Sequence, residues 1–271
     1  MFRITFYKMT GSGNDFILID NRKRQLKDYD FAELALRLCN RKWGVGADGL
    51  IILEDSDKTD FKWHFFNADG SEAEMCGNGG RCAARLAYIL GMGGDKLSFE
   101  TKAGVIHAEI DKNRVKLAMT PPQDLCLHLS LPLESEVISA HFINTGVPHT
   151  VLLVEDLENA PVVSLGRQIR FHEYFQPAGT NVNFVRVISP NAIQIRTYER
   201  GVEDETLACG TGSVASALIA FKLELVKPPV KVGTKSGEIL EVFFTPDFSE
   251  VFLKGEARLI CQGEIYEEVL K

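Results

Sequence analysis

The sequence predicts an α+β chain of two similar halves, each a curled, mostly antiparallel β-sheet or barrel wrapped around a central α-helix, with the halves related by a pseudo-twofold axis. Three observations predict it. A pattern recurs at one fixed offset, most segments alternate like strands, and one alanine-rich stretch in each half is apolar nearly all round.

The recurrence carries most weight. At a gapless offset of 133 residues, Cys76-Gly77-Asn78-Gly79 matches Cys209-Gly210-Thr211-Gly212. Ala84, Ala87 and Leu90 match Ala217, Ala220 and Leu223, Glu72 matches Glu205, and Thr101-Lys102-Ala103-Gly104 matches Thr234-Lys235-Ser236-Gly237. The period is too long for a solenoid, so two duplicated domains are expected. Pro121-Pro122 is the natural linker. The N-terminal half is then 1–119 and the C-terminal half 120–259, with the tail from about 260 to 271 returning to the first half.

Alternation predicts strands at 4–7, 16–19, 62–66, 105–110 and 115–118, and in the second half at 151–154, 182–187, 192–198, 239–244 and 250–253. Asp30-Phe31-Ala32-Glu33 reads as a capping box opening a helix to about Asn40, and Ser164 as the cap of its counterpart, running to about Phe175. The two apolar stretches, 81–90 and 214–223, follow the Cys-Gly-x-Gly turns and read as the buried central helices.

The 271 residues are 45% apolar and 25% charged, which suits a packed core. The net charge of −7 argues against nucleic acid as a partner. No apolar run reaches 18 residues and the first residues alternate like a strand, so no membrane partner, a cytosolic location and reduced thiols are expected. The six cysteines show no zinc spacing, so no metal is expected.

Each Cys-Gly-x-Gly sets a thiol just before a helix start, where free N–H groups and the positive end of the helix dipole lie. That position favours thiolate and also holds a carboxylate. Two such thiols suit proton removal and return at an amino-acid α-carbon without a cofactor. For Cys39, Cys82, Cys126 and Cys261 a plain buried role is expected.

At these residues the chain resembles the diaminopimelate epimerases. The matching stretches are Met9-Thr10-Gly11-Ser12-Gly13-Asn14-Asp15-Phe16, Phe66-Asn67-Ala68-Asp69-Gly70-Ser71-Glu72, Met75 to Cys82, and Glu199-Arg200-Gly201-Val202 followed by Glu205 to Gly212. The resemblance implies a cofactor-independent epimerase of LL- and meso-2,6-diaminopimelate, a homodimer serving lysine and peptidoglycan precursor synthesis. It implies that Cys209 takes the proton from the LL isomer, that Cys76 returns one, and that His149 lies near the catalytic centre. It implies Asn14, Asn67 and Asn181 as substrate hydrogen-bonders, and Arg200 and Glu199 on the distal carboxylate and an ammonium. Backbone N–H groups of Gly77, Asn78, Gly210 and Thr211 would meet the reacting carboxylate. Without the match, Asn67 to Gly70 reads as a hairpin turn, Asn14 and Asn181 as turn residues, and Glu199-Arg200 as a solvated pair; the match tips them toward function.

Three departures stand out: Val147 where many relatives carry Asn, Gly49 where some carry Gln, and a loop 201–205 longer by one residue. The alternatives weighed are a proline- or hydroxyproline-type racemase, for which a distal Arg200 has no use, and a thiol switch in which Cys76 and Cys209 join on oxidation.

Overall fold

A computed structural model describes residues 3–133 and 136–270. The chain divides into two compact units, one formed by 1–117 with 255–271 and the other by 118–254.

The first unit opens with β1 (Arg3–Gly11), β2 (Asn14–Asp20), α1 (Phe31–Leu38), β3 (Gly49–Glu54), β4 (Phe61–Asn67), α2 (Gly77–Ile89), β5 (Lys96–Thr101), β6 (Gly104–Asp111) and β7 (Arg114–Ala118). The second holds β8 (Gln123–Pro132), β9 (Val137–Asn144), β10 (Pro148–Leu153), α3 (Val162–Arg170), β11 (Asn181–Ser189), β12 (Ala192–Glu199), β13 (Asp204–Thr206), α4 (Gly210–Lys222), β14 (Val230–Gly233), β15 (Ile239–Phe244) and β16 (Val251–Glu256). The chain then returns to the first unit as β17 (Arg258–Tyr266), which pairs antiparallel with β1, and the short α5 (Glu267–Leu270). No helix among the described residues is long and apolar enough to cross a membrane.

Within each unit a sheet wraps one helix. Apolar side chains from all of β1 to β7, Met9, Phe16, Ile51, Trp63, Phe99, Ala108 and Leu117 among them, pack with Cys82, Ala83, Leu86 and Ala87 of α2. The second unit does the same around Val214, Ala217, Leu218 and Ile219 of α4. Small alanines let the strands approach the helix closely. The outer face of each sheet is covered by a second helix: Ile17, Ile19, Leu50 and Ile52 meet α1, and Val182 and Phe184 meet α3. Strands β2 and β3 are thus buried on both faces, which is why Leu50-Ile51-Ile52-Leu53 is a continuous apolar run and not an alternating one.

Most strand pairs are antiparallel, and the parallel ones recur at matching places. Phe16 pairs with Gly49 in β2–β3 as His149 pairs with Asn181 in β10–β11. Phe61 pairs with Phe99 in β4–β5 as Ile193 pairs with Val232 in β12–β14. The Thr-Lys-x-Gly match outside the helices also has a structural reason. Lys102 pairs with Glu72, and Lys235 with Glu205, so in each unit a lysine ties that turn to the segment leading into the central helix.

Local readings are corrected at three points. The central helices begin at Gly77 and Gly210, four residues before 81 and 214, so the glycines form the first turn itself. Asp30 caps α1 by accepting the Ala32 N–H at 2.9 Å, but Glu33 pairs with Arg37 at 2.7 Å and does not close a capping box. Ser164 is not a cap: α3 starts at Val162, after Pro161, and the Ser164 hydroxyl turns back onto the Pro161 carbonyl. That helix ends at Arg170, and a separate 3-10 turn spans Glu173–Phe175.

Asp30→Ala removes the one side-chain bond at the α1 start. Urea unfolding is expected to show a loss of about 1 kcal/mol.

Candidate active site

Cys76 and Cys209 are the N-caps of α2 and α4. Both backbones are extended there (φ −143°, ψ 117° and φ −122°, ψ 112°), and each sulfur accepts the N–H of the third helix residue: Gly79 at 3.5 Å and Gly212 at 3.4 Å. Ser, Thr, Asp or Asn normally takes this place. A thiol here places sulfur against an N–H donor and the positive helix end, which favours its anionic form. The Thr211 hydroxyl lies 3.6 Å from the Cys209 sulfur. A Cβ built on Gly77 would meet nothing within 4 Å, so space beside the first turn of α2 is open. All six cysteines are free thiols; Cys39 and Cys82 are buried, whereas Cys126 is half-buried and Cys261 is exposed, so the expected buried role fails for Cys261.

In the first unit a polar chain leads outward from the α2 start. Asn78 donates to Asn14 Oδ1 at 2.7 Å and accepts from Arg81 at 2.8 Å. Asn14 in turn donates to Asp48 at 2.9 Å. Arg41 bridges Asp48 and Asp15 at 2.8 and 2.7 Å, and Lys8 reaches Asp15 at 2.7 Å. Burial alone would push the Asp15 carboxyl up. The hydrogen bonds and charges of Arg41 and Lys8 outweigh it and hold the group at about 2. Asn67 stands in a turn: its amide donates to Ser71 Oγ at 3.0 Å and its carbonyl accepts from the Gly70 N–H at 2.9 Å.

In the second unit Asn181 donates to the Pro148 carbonyl at 3.0 Å and accepts the Arg200 N–H at 2.9 Å, joining β10 to the end of β12. A primary amide has two donors and two acceptor pairs, so these bonds orient Asn14 and Asn181 while using half their capacity. The Arg200 guanidinium donates to the Ala178 carbonyl at 3.0 Å. Burial pushes the Glu199 carboxyl above its ordinary value, offset in part by a 2.8 Å bond from the Thr206 hydroxyl. A carboxylate so desolvated favours a cationic partner. His149 is fully buried, and burial, aided by the Arg200 charge, pushes its imidazole down to about 3. It is therefore neutral at working pH.

The structure thus gathers Asn14 and Asn78 at the α2 start. Asn181 joins Arg200 to the neighbourhood of His149, and Glu199 ends β12 on Thr206. Sequence reasoning missed Asn183, which is fully buried and bonds His149, the Thr150 carbonyl and the Thr197 hydroxyl at 3.1, 3.2 and 2.9 Å. It also missed Asp48, the partner of Asn14. A signal for Asn183 existed: it sits at an inward position of an apolar alternation, directly opposite another inward polar residue, Thr197. The Gly49 departure has a local cause. A Cβ there would lie 2.5 Å from the Phe65 ring and 2.9 Å from the Phe66 carbonyl, so this chain has filled the space with an aromatic ring. Among the described residues no group of three or more His, Cys, Asp or Glu is placed to hold a metal.

Two wrapped-helix units, each with a thiol at its helix start, define the fold class. Solved structures show that fold at low identity. A phenazine biosynthesis protein of the PhzF family from Bacillus anthracis has a TM-score of 0.72 at 14% identity, covering 98% of this chain and 100% of that one. A hydroxyproline epimerase from Agrobacterium vitis has 0.69 at 17%, covering 97% and 92%. The family is given by sequence. The diaminopimelate epimerase family model matches residues 6–125 and 141–260. A diaminopimelate epimerase of Aquifex aeolicus is 50% identical over 98% of this chain and 99% of its own, and one of Hydrogenobaculum is 46% identical over 97% and 98%. The chain belongs to the diaminopimelate epimerase family.

The two glycine positions separate packing from propensity. A Cβ on Gly212 would fall 2.3 Å from Asn183 Oδ1 and 3.2 Å from the Cys209 sulfur. Gly212→Ala is expected to lower stability by about 1–3 kcal/mol, whereas Gly77→Ala, in open space, should gain up to about 1 kcal/mol; urea midpoints compare them.

Asp15 sets an acid limit. Its folded value lies below the ordinary carboxylate value, so its contribution is complete above about pH 4 and is lost as pH falls towards 2. Because Arg41 is 60% exposed, the contribution is discounted to about 1–2 kcal/mol. Urea unfolding across this range should show a steeper loss for the parent protein than for Asp15→Asn.

Proposed function

We propose that this chain interconverts LL- and meso-2,6-diaminopimelate without pyridoxal phosphate or metal, Cys209 accepting the α-proton of the LL isomer and Cys76 donating one in return. The observation that carries this reading is the thiol-capped helix start, built once in each unit with the same Cys-Gly-x-Gly sequence and the same N–H to sulfur bond. The full-length relatives that bear this name supply the substrate.

The chemistry needs two things from the protein. An amino-acid α-proton is very weakly acidic, so the charge spreading onto the α-carboxylate must be met by fixed donors in a dry setting. Backbone N–H groups of Gly77, Asn78, Gly210 and Thr211 are assigned that task, the helix dipoles adding to it. The second need is a pair of groups that exchange a proton near neutral pH, which thiols beside positive helix ends supply.

The distal end of the substrate carries its own amino and carboxyl groups. Arg200 is assigned the carboxylate, where a planar guanidinium can fork. Glu199 is assigned the ammonium, whose charge would offset the burial of its carboxyl. Asn14, Asn67 and Asn181 are assigned further substrate bonds. A proline-type substrate has no distal charge for Arg200 or Glu199 to meet. The same reading places the enzyme, as a cytosolic homodimer, in the supply of lysine and peptidoglycan precursors.

In deuterium oxide and reducing buffer, with no cofactor added, the protein should place deuterium at the α-carbon of diaminopimelate and yield both isomers, read by NMR. Cys76→Ala and Cys209→Ala should each lower epimerisation by about 10²–10⁴. Full turnover by either variant would reject the two-base assignment, and no exchange by the parent would reject the substrate.

A further inference from the structure

Behind the α4 start lies a buried polar cluster that the duplicated fold does not require. His149, Asn183 and Thr197 are at most 2% exposed. They lie side by side on β10, β11 and β12: Asn183 is paired with Val151 on one side and with Thr197 on the other. The corresponding register in the first unit pairs Phe16 with Gly49 and Leu18 with Ile51. Phe16 there stands where His149 stands here, and Ile51 where Asn183 stands. The packing agrees: a Cβ on Gly79 would touch Ile51 and Phe16, and one on Gly212 would touch Asn183. One copy of the device is backed by hydrocarbon and the other by hydrogen-bonding groups. Burying such groups is unfavourable unless each finds a partner, so the polar copy needs a reason beyond folding.

The hydrogen bonds around Asn183 have only one consistent direction. The Thr150 backbone carbonyl can only accept, so the Asn183 atom 3.2 Å from it is the NH2 group. That group also lies 3.1 Å from His149 Nδ1. Nδ1 must then be an acceptor. Asn183 Oδ1, on the other side, accepts from the Thr197 hydroxyl at 2.9 Å.

We propose that Asn183 is a positioning residue that holds the His149 ring as its Nε2-protonated tautomer, making His149 a fixed N–H donor and not a proton acceptor. Two further facts agree. The imidazole is held neutral by burial and by Arg200. Its Nε2 is buried and has no hydrogen-bond partner among the described residues. A buried N–H without an acceptor is unfavourable, and an arriving acceptor would relieve it. Resting on the function proposed above, that acceptor is an oxygen of the substrate, and the charge of Arg200 acts on the same ring. The tautomer assignment itself does not depend on which substrate binds.

The test reads the ring directly. Protein labelled with 15N-histidine is examined by NMR without substrate, and the His149 signals are those lost in His149→Gln. The Nε2-protonated pattern at neutral pH is the expected result. An Nδ1-protonated or doubly protonated ring in the parent protein would overturn the proposal, whatever the variants do. In Asn183→Asp the carboxylate can only accept, so the proton should move to Nδ1, and kcat on diaminopimelate should fall by about tenfold or more with a smaller change in KM. Asn183→Asp that keeps the Nε2 tautomer and full kcat would also overturn it. If the parent protein turns over no diaminopimelate, the substrate assignment falls while the tautomer result still stands or fails by itself.

Discussion

A helix cannot start without something to accept its first N–H groups, and in both units of this protein that acceptor is a thiol. The bonds from Gly79 to Cys76 and from Gly212 to Cys209 therefore serve two ends. They complete the fold of α2 and α4, and they fix the sulfur where helix and backbone favour its anion. Because the central helices are buried almost all round, their starts cannot drift. The sheet holds the helix, the helix holds the cap, and the cap is the thiol to which the proposed proton exchange is assigned.

The rest of each unit supports that placement. Strands wrap the central helix on one face and pack a second helix on the other, so the middle strands are buried twice. The Glu72–Lys102 and Glu205–Lys235 pairs tie the approach to each helix start to a turn outside it. Single exposed pairs contribute little to stability. Glu205 is different, being only 7% exposed at its side chain and gripped by Arg196 as well, so its tether is the firmer of the two.

The wrapped-helix architecture was legible because its signals are redundant. The repeat, the all-apolar stretches and the Gly-rich turns agreed with one another. Where only one signal spoke, it misled: Ser164 looked like a cap because its type suits one, but Pro161 at the helix entry decided the start. Strand β8 went unread for a physical reason. Asp124 and His128 adopt left-handed backbone (φ 55° and 57°) and the register slips beside them, so its alternation does not stay in phase. At the candidate site the cysteines and Asn14 were readable from motif, whereas Asp48 and Asn183 act through neighbours distant in sequence. Pairwise contacts across strands leave no local pattern beyond a polar residue where an apolar one is expected.

Duplication gave this chain two equivalent cradles, and they have since diverged at their backs. Phe16 and Ile51 line one, His149 and Asn183 the other. A chimera joining two copies of the first unit would keep both thiols and both helix starts, but its second cradle would hold hydrocarbon in place of an imidazole and an amide. The two units are therefore alike as scaffolds and unlike as chemical environments. The residues that set the two backs apart, His149 and Asn183 against Phe16 and Ile51, lie outside the Cys-Gly-x-Gly sequence that the two units share.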